Sequence, residues 1–96
     1  MNILVTYDVN TETRKGRKRL RDVAKTCKNY GQRVQYSVFE CRVSEAQYEE
    51  LCAKLAKIIN VNSDSLRIYM LRGEREDFLH CVGLDNFTDF DEPLVL

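Results

Sequence analysis

The sequence predicts an α+β fold, a ferredoxin-like βαββαβ sandwich with a short extra C-terminal strand. Three observations lead there. The apolar run Ile3-Leu4-Val5 closes at Thr6, Tyr7 and Asp8 as a buried strand would. Two stretches carry apolar residues at the three-four spacing of a helix, and extended, alternating segments follow each of them. At 96 residues the chain has room for one core and no second domain.

The elements follow in order. Residues 2–8 are apolar at consecutive positions, which predicts a central strand. Asn10, Thr11 and Thr13 offer helix N-caps. From Arg14 onward, Leu20, Val23, Ala24, Cys27 and Tyr30 form an apolar stripe, and Gly31 reads as the stop. Residues 34–43 alternate and are rich in Val, Tyr and Phe. The 13 residues 31–43 barely hold two strands and a turn, so a bent or bulged segment pairing as two short strands is expected. Ser44-Glu45-Ala46-Gln47 is a capping box, and Tyr48, Leu51, Cys52, Leu55, Ile58 and Ile59 make the apolar face of the second helix. Residues 60–64 are the exit turn, and 66–71 alternate as a strand. Residues 78–83 read as the extra strand, placed to join a sheet edge, including one in a partner subunit. The ordered domain is expected to span 1–83, with 84–96 an acidic tail ending in Leu94-Val95-Leu96.

The composition, 44% hydrophobic and 31% charged with one Pro and four Gly, is that of an ordinary globular domain. The first apolar run is too short for a signal peptide, and no run approaches the roughly 20 residues of a membrane span, so a cytoplasmic protein without membrane contact is expected. Cys27, Cys41, Cys52 and Cys81 match no zinc-binding spacing and read as small core hydrophobes. His80 and Cys81 lack the further ligands a metal site needs.

A net charge of zero conceals a strong asymmetry. Residues 14–33 hold nine of the 15 Lys and Arg against one acid, Asp22, whereas residues 74–92 hold seven acids against Arg75. Few ion pairs can form within such a helix, and phosphate contacts would relieve its self-repulsion. Arg14, Lys15, Arg17, Lys18 and Arg21 are therefore the candidate nucleic-acid contacts. No base-reading module is present, so binding should address backbone and shape. Asp8, at the junction of strand and polar turn, is the candidate catalytic and metal-binding carboxylate. The same position also suits an Asx turn or a helix cap. No second acid lies at a spacing that brings it to Asp8, and an isologous dimer would supply one. An acylphosphatase-type site is disfavoured because the turn at 9–13 has no Gly to shape a phosphate cradle. A small-molecule regulatory domain would not need the basic helix.

Thr6-Tyr7-Asp8-Val9, the basic helix with Arg14, Arg17 and Lys18, and the run Gly31-Gln32-Arg33-Val34-Gln35-Tyr36-Ser37-Val38-Phe39-Glu40-Cys41 resemble the CRISPR-associated protein 2 family, the small component of spacer acquisition. The similarity covers roughly residues 1–83. It implies a ferredoxin-like homodimer with Asp8 of each subunit facing across the axis to bind a divalent metal, usually Mg²⁺. It further implies a CRISPR-associated integrase as partner and a captured DNA duplex on the basic surface. Family members are also described as metal-dependent nucleases on single-stranded RNA or double-stranded DNA. The acidic tail departs from the shorter family pattern. An adaptor role asks only for a rigid two-fold block with basic faces, and is the expected primary function. The alternatives are a metal-dependent endonuclease and a related toxin-like ribonuclease.

Overall fold

The computed structural model describes residues 1–88; residues 89–96, with the apolar end of the acidic tail, lie outside the described part. Seven elements follow one another: β1 (Asn2–Asp8), α1 (Arg14–Lys28), β2 (Gly31–Gln35), β3 (Val38–Arg42), α2 (Glu45–Ile58), β4 (Ser65–Leu71) and the one-turn helix α3 (Arg75–Phe78). The strands form one antiparallel sheet in the order β2-β3-β1-β4, with β1 in the middle as its apolar composition requires. Strand order and helix placement are those of the ferredoxin-like sandwich.

Alternation decides which face of the sheet is covered. Ile3, Val5 and Tyr7 of β1, with Phe39 and Cys41 of β3, are buried against Val23 and Cys27 of α1 and Leu51 and Leu55 of α2. Leu51 and Leu55 are fully enclosed, each contributing about 2 kcal/mol of apolar burial. The opposite face carries Asn2, Leu4, Thr6 and Asp8 beside Arg67, Tyr69 and Leu71, and the two long helices α1 and α2 do not pack on it.

The helices start where side chains can satisfy the free backbone N–H groups. Thr13 Oγ1 accepts from Gly16 N at 3.0 Å. Ser44 and Gln47 make the expected capping box, Ser44 Oγ accepting from Gln47 N at 3.2 Å and Gln47 Oε1 from Ser44 N at 2.9 Å. Gly16 also lets α1 approach the preceding loop, because a Cβ there would stand 1.9 Å from the Asn10 carbonyl oxygen.

The segment 31–43 resolves into two short strands joined by the two-residue turn Tyr36-Ser37, and the register slips between Arg33 and Gln35 as a bulge. Two expectations are corrected. Gly31 is not the helix stop: α1 ends at Lys28 with Asn29 as its cap, and Gly31 opens β2 with an ordinary negative φ. It is glycine because a Cβ would lie 2.3 Å from the Glu40 carbonyl oxygen and 2.4 Å from Cys41 Sγ, where β2 meets β3. Nor do residues 78–83 form a strand. Glu74 and Asp77 cap each other across the first turn of α3, Asp77 Oδ2 accepting from Glu74 N at 3.0 Å, so Phe78 closes a helix. Residues 79–88 have no regular structure and pair with no strand of their own chain.

Arg75 straps this segment down. Its guanidinium makes paired bonds to Glu40 (2.9 and 3.0 Å) and to Asp85 (2.9 and 2.9 Å) and lies 3.9 Å over the Phe87 ring. Asn86 Nδ2 then donates to the Val34 carbonyl at 3.2 Å, and Thr88 N to Gln32 Oε1 at 2.8 Å. Glu40 lies opposite Leu4, so the strap lies over the Asn2 end of the open face and, among the described residues, does not reach the Asp8 end.

Candidate nucleic-acid interface and metal carboxylate

Asp8 is the last residue of β1, opposite Ser65, on the sheet face away from α1 and α2. It is exposed, and its side chain has no hydrogen bond or ion pair among the described residues. The capping work expected of this junction is done elsewhere. Asn10 Oδ1 accepts from Glu12 N at 2.9 Å to make the Asx turn, and Thr13 caps α1. Structural duty therefore does not account for the carboxylate. No group of three or more His, Cys, Asp and Glu placed to hold a metal exists among the described residues. At the end of β1, Asp8 is the one carboxylate lining the groove among the described residues, which fits a Mg²⁺ site completed by water and substrate oxygens or by a second copy of Asp8. His80 and Cys81 are exposed and take no part in such a cluster.

Beside Asp8 runs an open groove between α1 and the β2–β3 hairpin, lined by Arg21, Arg33, Tyr36 and Ser37 together with Tyr7. Arg33 lies opposite Phe39 in the ladder, its guanidinium 5.3 Å from the ring centroid. Tyr7 fixes the hairpin tip: its backbone N–H donates to the Ser37 carbonyl at 3.1 Å and its hydroxyl to the Tyr36 carbonyl at 3.4 Å. Burial pushes the Tyr7 phenol above its ordinary range, with Arg33 pulling the other way. The set of site residues predicted from sequence lacks Arg33 and Tyr36. Their place beside Asp8 depends on the hairpin folding back to the end of β1, a contact that no local spacing reveals.

The five predicted cations do lie together. Arg14, Arg17, Lys18 and Arg21 line the side of α1 away from Val23 and Cys27, continued by Lys25 and Lys28, and Lys15 flanks them. All are exposed. Lys18 pairs with Asp22 at 2.6 Å and Arg17 donates to the Thr11 carbonyl at 3.2 Å; the side chains of Arg14, Lys15 and Arg21 have no bond among the described residues. The first turn of α1 contains no acid. Cations therefore crowd the positive end of the helix dipole, an arrangement that a bound anion would relieve. Arg19 leaves the stripe, bonding Asp64, whose side chain is enclosed, at 2.8 and 3.2 Å. That carboxylate also accepts from Asn10 N at 3.0 Å and Asn60 N at 2.8 Å. Asp64 is thus spoken for and cannot serve a metal.

With this arrangement in view, the relatives decide the family. The model of the family described as CRISPR associated protein Cas2 matches residues 1–77. The chain belongs to the Cas2 family. It is 56% identical over 96 residues to a Moorella thermoacetica protein named CRISPR-associated endoribonuclease Cas2 1, covering 100% of both chains. It is 46% identical over 95 residues to the Halalkalibacterium halodurans CRISPR-associated endonuclease Cas2, covering 99% of each. Among solved structures, Streptococcus pyogenes Cas2 superposes with a TM-score of 0.77 at 52% identity, over 86% of this chain and 100% of that one. No helix among the described residues is long and apolar enough to cross a membrane.

Proposed function

We propose that this Cas2-family protein is a dimeric adaptor of CRISPR spacer acquisition, holding duplex DNA by its phosphates and bridging copies of the CRISPR-associated integrase. The observation that carries this reading is the solvent-facing stripe of cations on α1, largely free of neighbouring acids. Such a stripe contacts phosphates without reading bases, which suits a protein that must accept any captured sequence. The uncovered sheet face supports the dimer. Leu4 and Val38 are only partly buried there and Tyr69 is 44% exposed. Two such faces stacked about a two-fold axis would bury that apolar surface and bring the two Asp8 carboxylates toward each other.

A second reading, metal-dependent phosphodiester cleavage, is favoured by the free, exposed Asp8 carboxylate and by the nuclease names of the relatives. A divalent cation at the Asp8 pair would neutralise phosphate charge and acidify water. Asp8 would hold that charge at the end of a rigid central strand, while Arg21 and Arg33 orient the phosphodiester in the adjoining groove. Among the described residues, no histidine, cysteine or second carboxylate lines the groove to protonate a leaving oxygen. Cleavage therefore ranks second.

Asp8→Asn separates the readings, because it keeps the size of the side chain and removes the charge. The adaptor reading expects a dimer in sedimentation, intact duplex binding, and integration with the partner enzyme at the wild-type level, with any Mg²⁺-dependent cleavage abolished. A folded, DNA-binding and integrase-binding Asp8→Asn protein that no longer supports integration would overturn the ranking.

A further inference from the structure

We propose that Tyr36 is a stacking platform for an unpaired nucleobase, holding a single-stranded stretch of nucleic acid beside Asp8. The proposal rests on the reading of the basic surface as a phosphate-binding face, and adds to it a contact with bases.

Tyr36 is the first residue of the two-residue turn between β2 and β3, and it is 95% exposed. Exposed tyrosines on flexible loops cost little and mean little. This one stands on a fixed support, because Tyr7 donates its hydroxyl to the Tyr36 carbonyl at 3.4 Å and its backbone N–H to the Ser37 carbonyl at 3.1 Å. Tyr7 is itself buried in the central strand. The turn is thereby tied to the core while the Tyr36 ring is left in water.

Nothing among the described residues uses that ring. The cation–ring contacts there belong to Phe39, Tyr30 and Phe87, and the one stacked ring pair is Tyr7 with Phe39. Two open grooves meet at Tyr36. One leads past Arg33 and Arg21 to Asp8, and the other runs along Val34 and Gln35 to Asn86. An unoccupied π face on a groove that also holds the arginines Arg33 and Arg21 has the chemistry that binds single strands: the cations hold successive phosphates and the ring stacks a base. Bases inside a duplex are already stacked, so the occupant is an unpaired nucleotide. Any base presents a π face, so the contact is indifferent to sequence, as the backbone contacts are.

The test compares binding of a labelled single-stranded oligothymidylate with that of an abasic strand of equal length, which keeps the phosphates and lacks the bases. Wild-type protein should prefer the base-bearing strand by roughly fivefold or more. Tyr36→Ala should bring the preference close to one, and Tyr36→Phe should retain it because stacking needs the ring and not the hydroxyl. Tyr36→Ala that still prefers the base-bearing strand as wild type does would overturn the proposal. So would a Tyr36→Ala protein that sediments as a monomer where wild type is a dimer, since the ring would then be a subunit contact. Titration of a blunt duplex in parallel checks the underlying reading. Absence of all salt-dependent binding by wild type would remove both readings, whereas intact duplex binding with no preference for bases would remove this one alone.

Discussion

Arg19 and Asp64, 45 residues apart in sequence, are joined by two hydrogen bonds of 2.8 and 3.2 Å, and the Asp64 side chain is fully enclosed. The pair locks α1 to the turn before β4. Through Asn10 N it also holds the loop that follows Asp8. One cation of the basic helix thus sets the helix's position while its neighbours face solvent.

Asp64→Asn should destabilise the fold by about 2–3 kcal/mol, because Arg19 and two backbone N–H groups lose an ionised acceptor. Chemical denaturation measures this directly. The guanidinium of Arg19 and the backbone donors hold the Asp64 carboxyl down at about 2, below its ordinary 3.8. A depressed folded-state pKa contributes stability that is present above the unfolded value and lost as pH falls. The wild type should therefore lose stability between about pH 4 and pH 2 more steeply than Asp64→Asn, and parallel acid profiles would contradict this assignment.

The thiols carry an alkaline counterpart. Burial pushes Cys27 up to about 11 and Cys41 up to about 12 from an ordinary 9.0. Raised folded-state values contribute stability that is full below pH 9 and declines as pH rises toward 11 and 12. Cys27→Ala with Cys41→Ala should flatten the loss of relative stability above pH 9. In native protein at neutral pH, a thiol reagent should modify exposed Cys81 rapidly and leave Cys27 and Cys41 untouched until unfolding.

Arg75→Ala should release the strap, since one guanidinium bonds Glu40 and Asp85 and covers Phe87. The expected cost is about 1.5–3 kcal/mol, with faster proteolysis within 79–88 and the α1–α2 core still protected. Unchanged cleavage kinetics would mean that Asn86 and Thr88 hold the segment unaided.

Features that depend on near neighbours are legible in the sequence. The Ser44–Gln47 capping box and the apolar faces of both helices are local, and the 13-residue span at 31–43 leaves little choice but a bulged hairpin. Features set by distant partners are not legible. Gly31 resembles a helix stop until β3 closes against it, and Arg19 resembles its basic neighbours until Asp64 arrives. Arg33 and Tyr36 reach the Asp8 groove only through the β1–β3 pairing and Tyr7. The capping box of α3, Glu74 with Asp77, spans three residues and is readable, but the apolar pattern of 78–83 masks it.

The central claim is that the α1 stripe holds phosphates, and the salt dependence of duplex binding tests it most directly. For wild type, log affinity for a blunt duplex should fall linearly with log salt, at about −0.9 per neutralised phosphate. Arg14→Glu with Arg17→Glu should weaken binding to all sequences alike and make the slope shallower by about 0.9 for each phosphate that is no longer neutralised. An unchanged affinity with an unchanged slope in a folded double variant would contradict the account and leave the stripe as a solvated helix face.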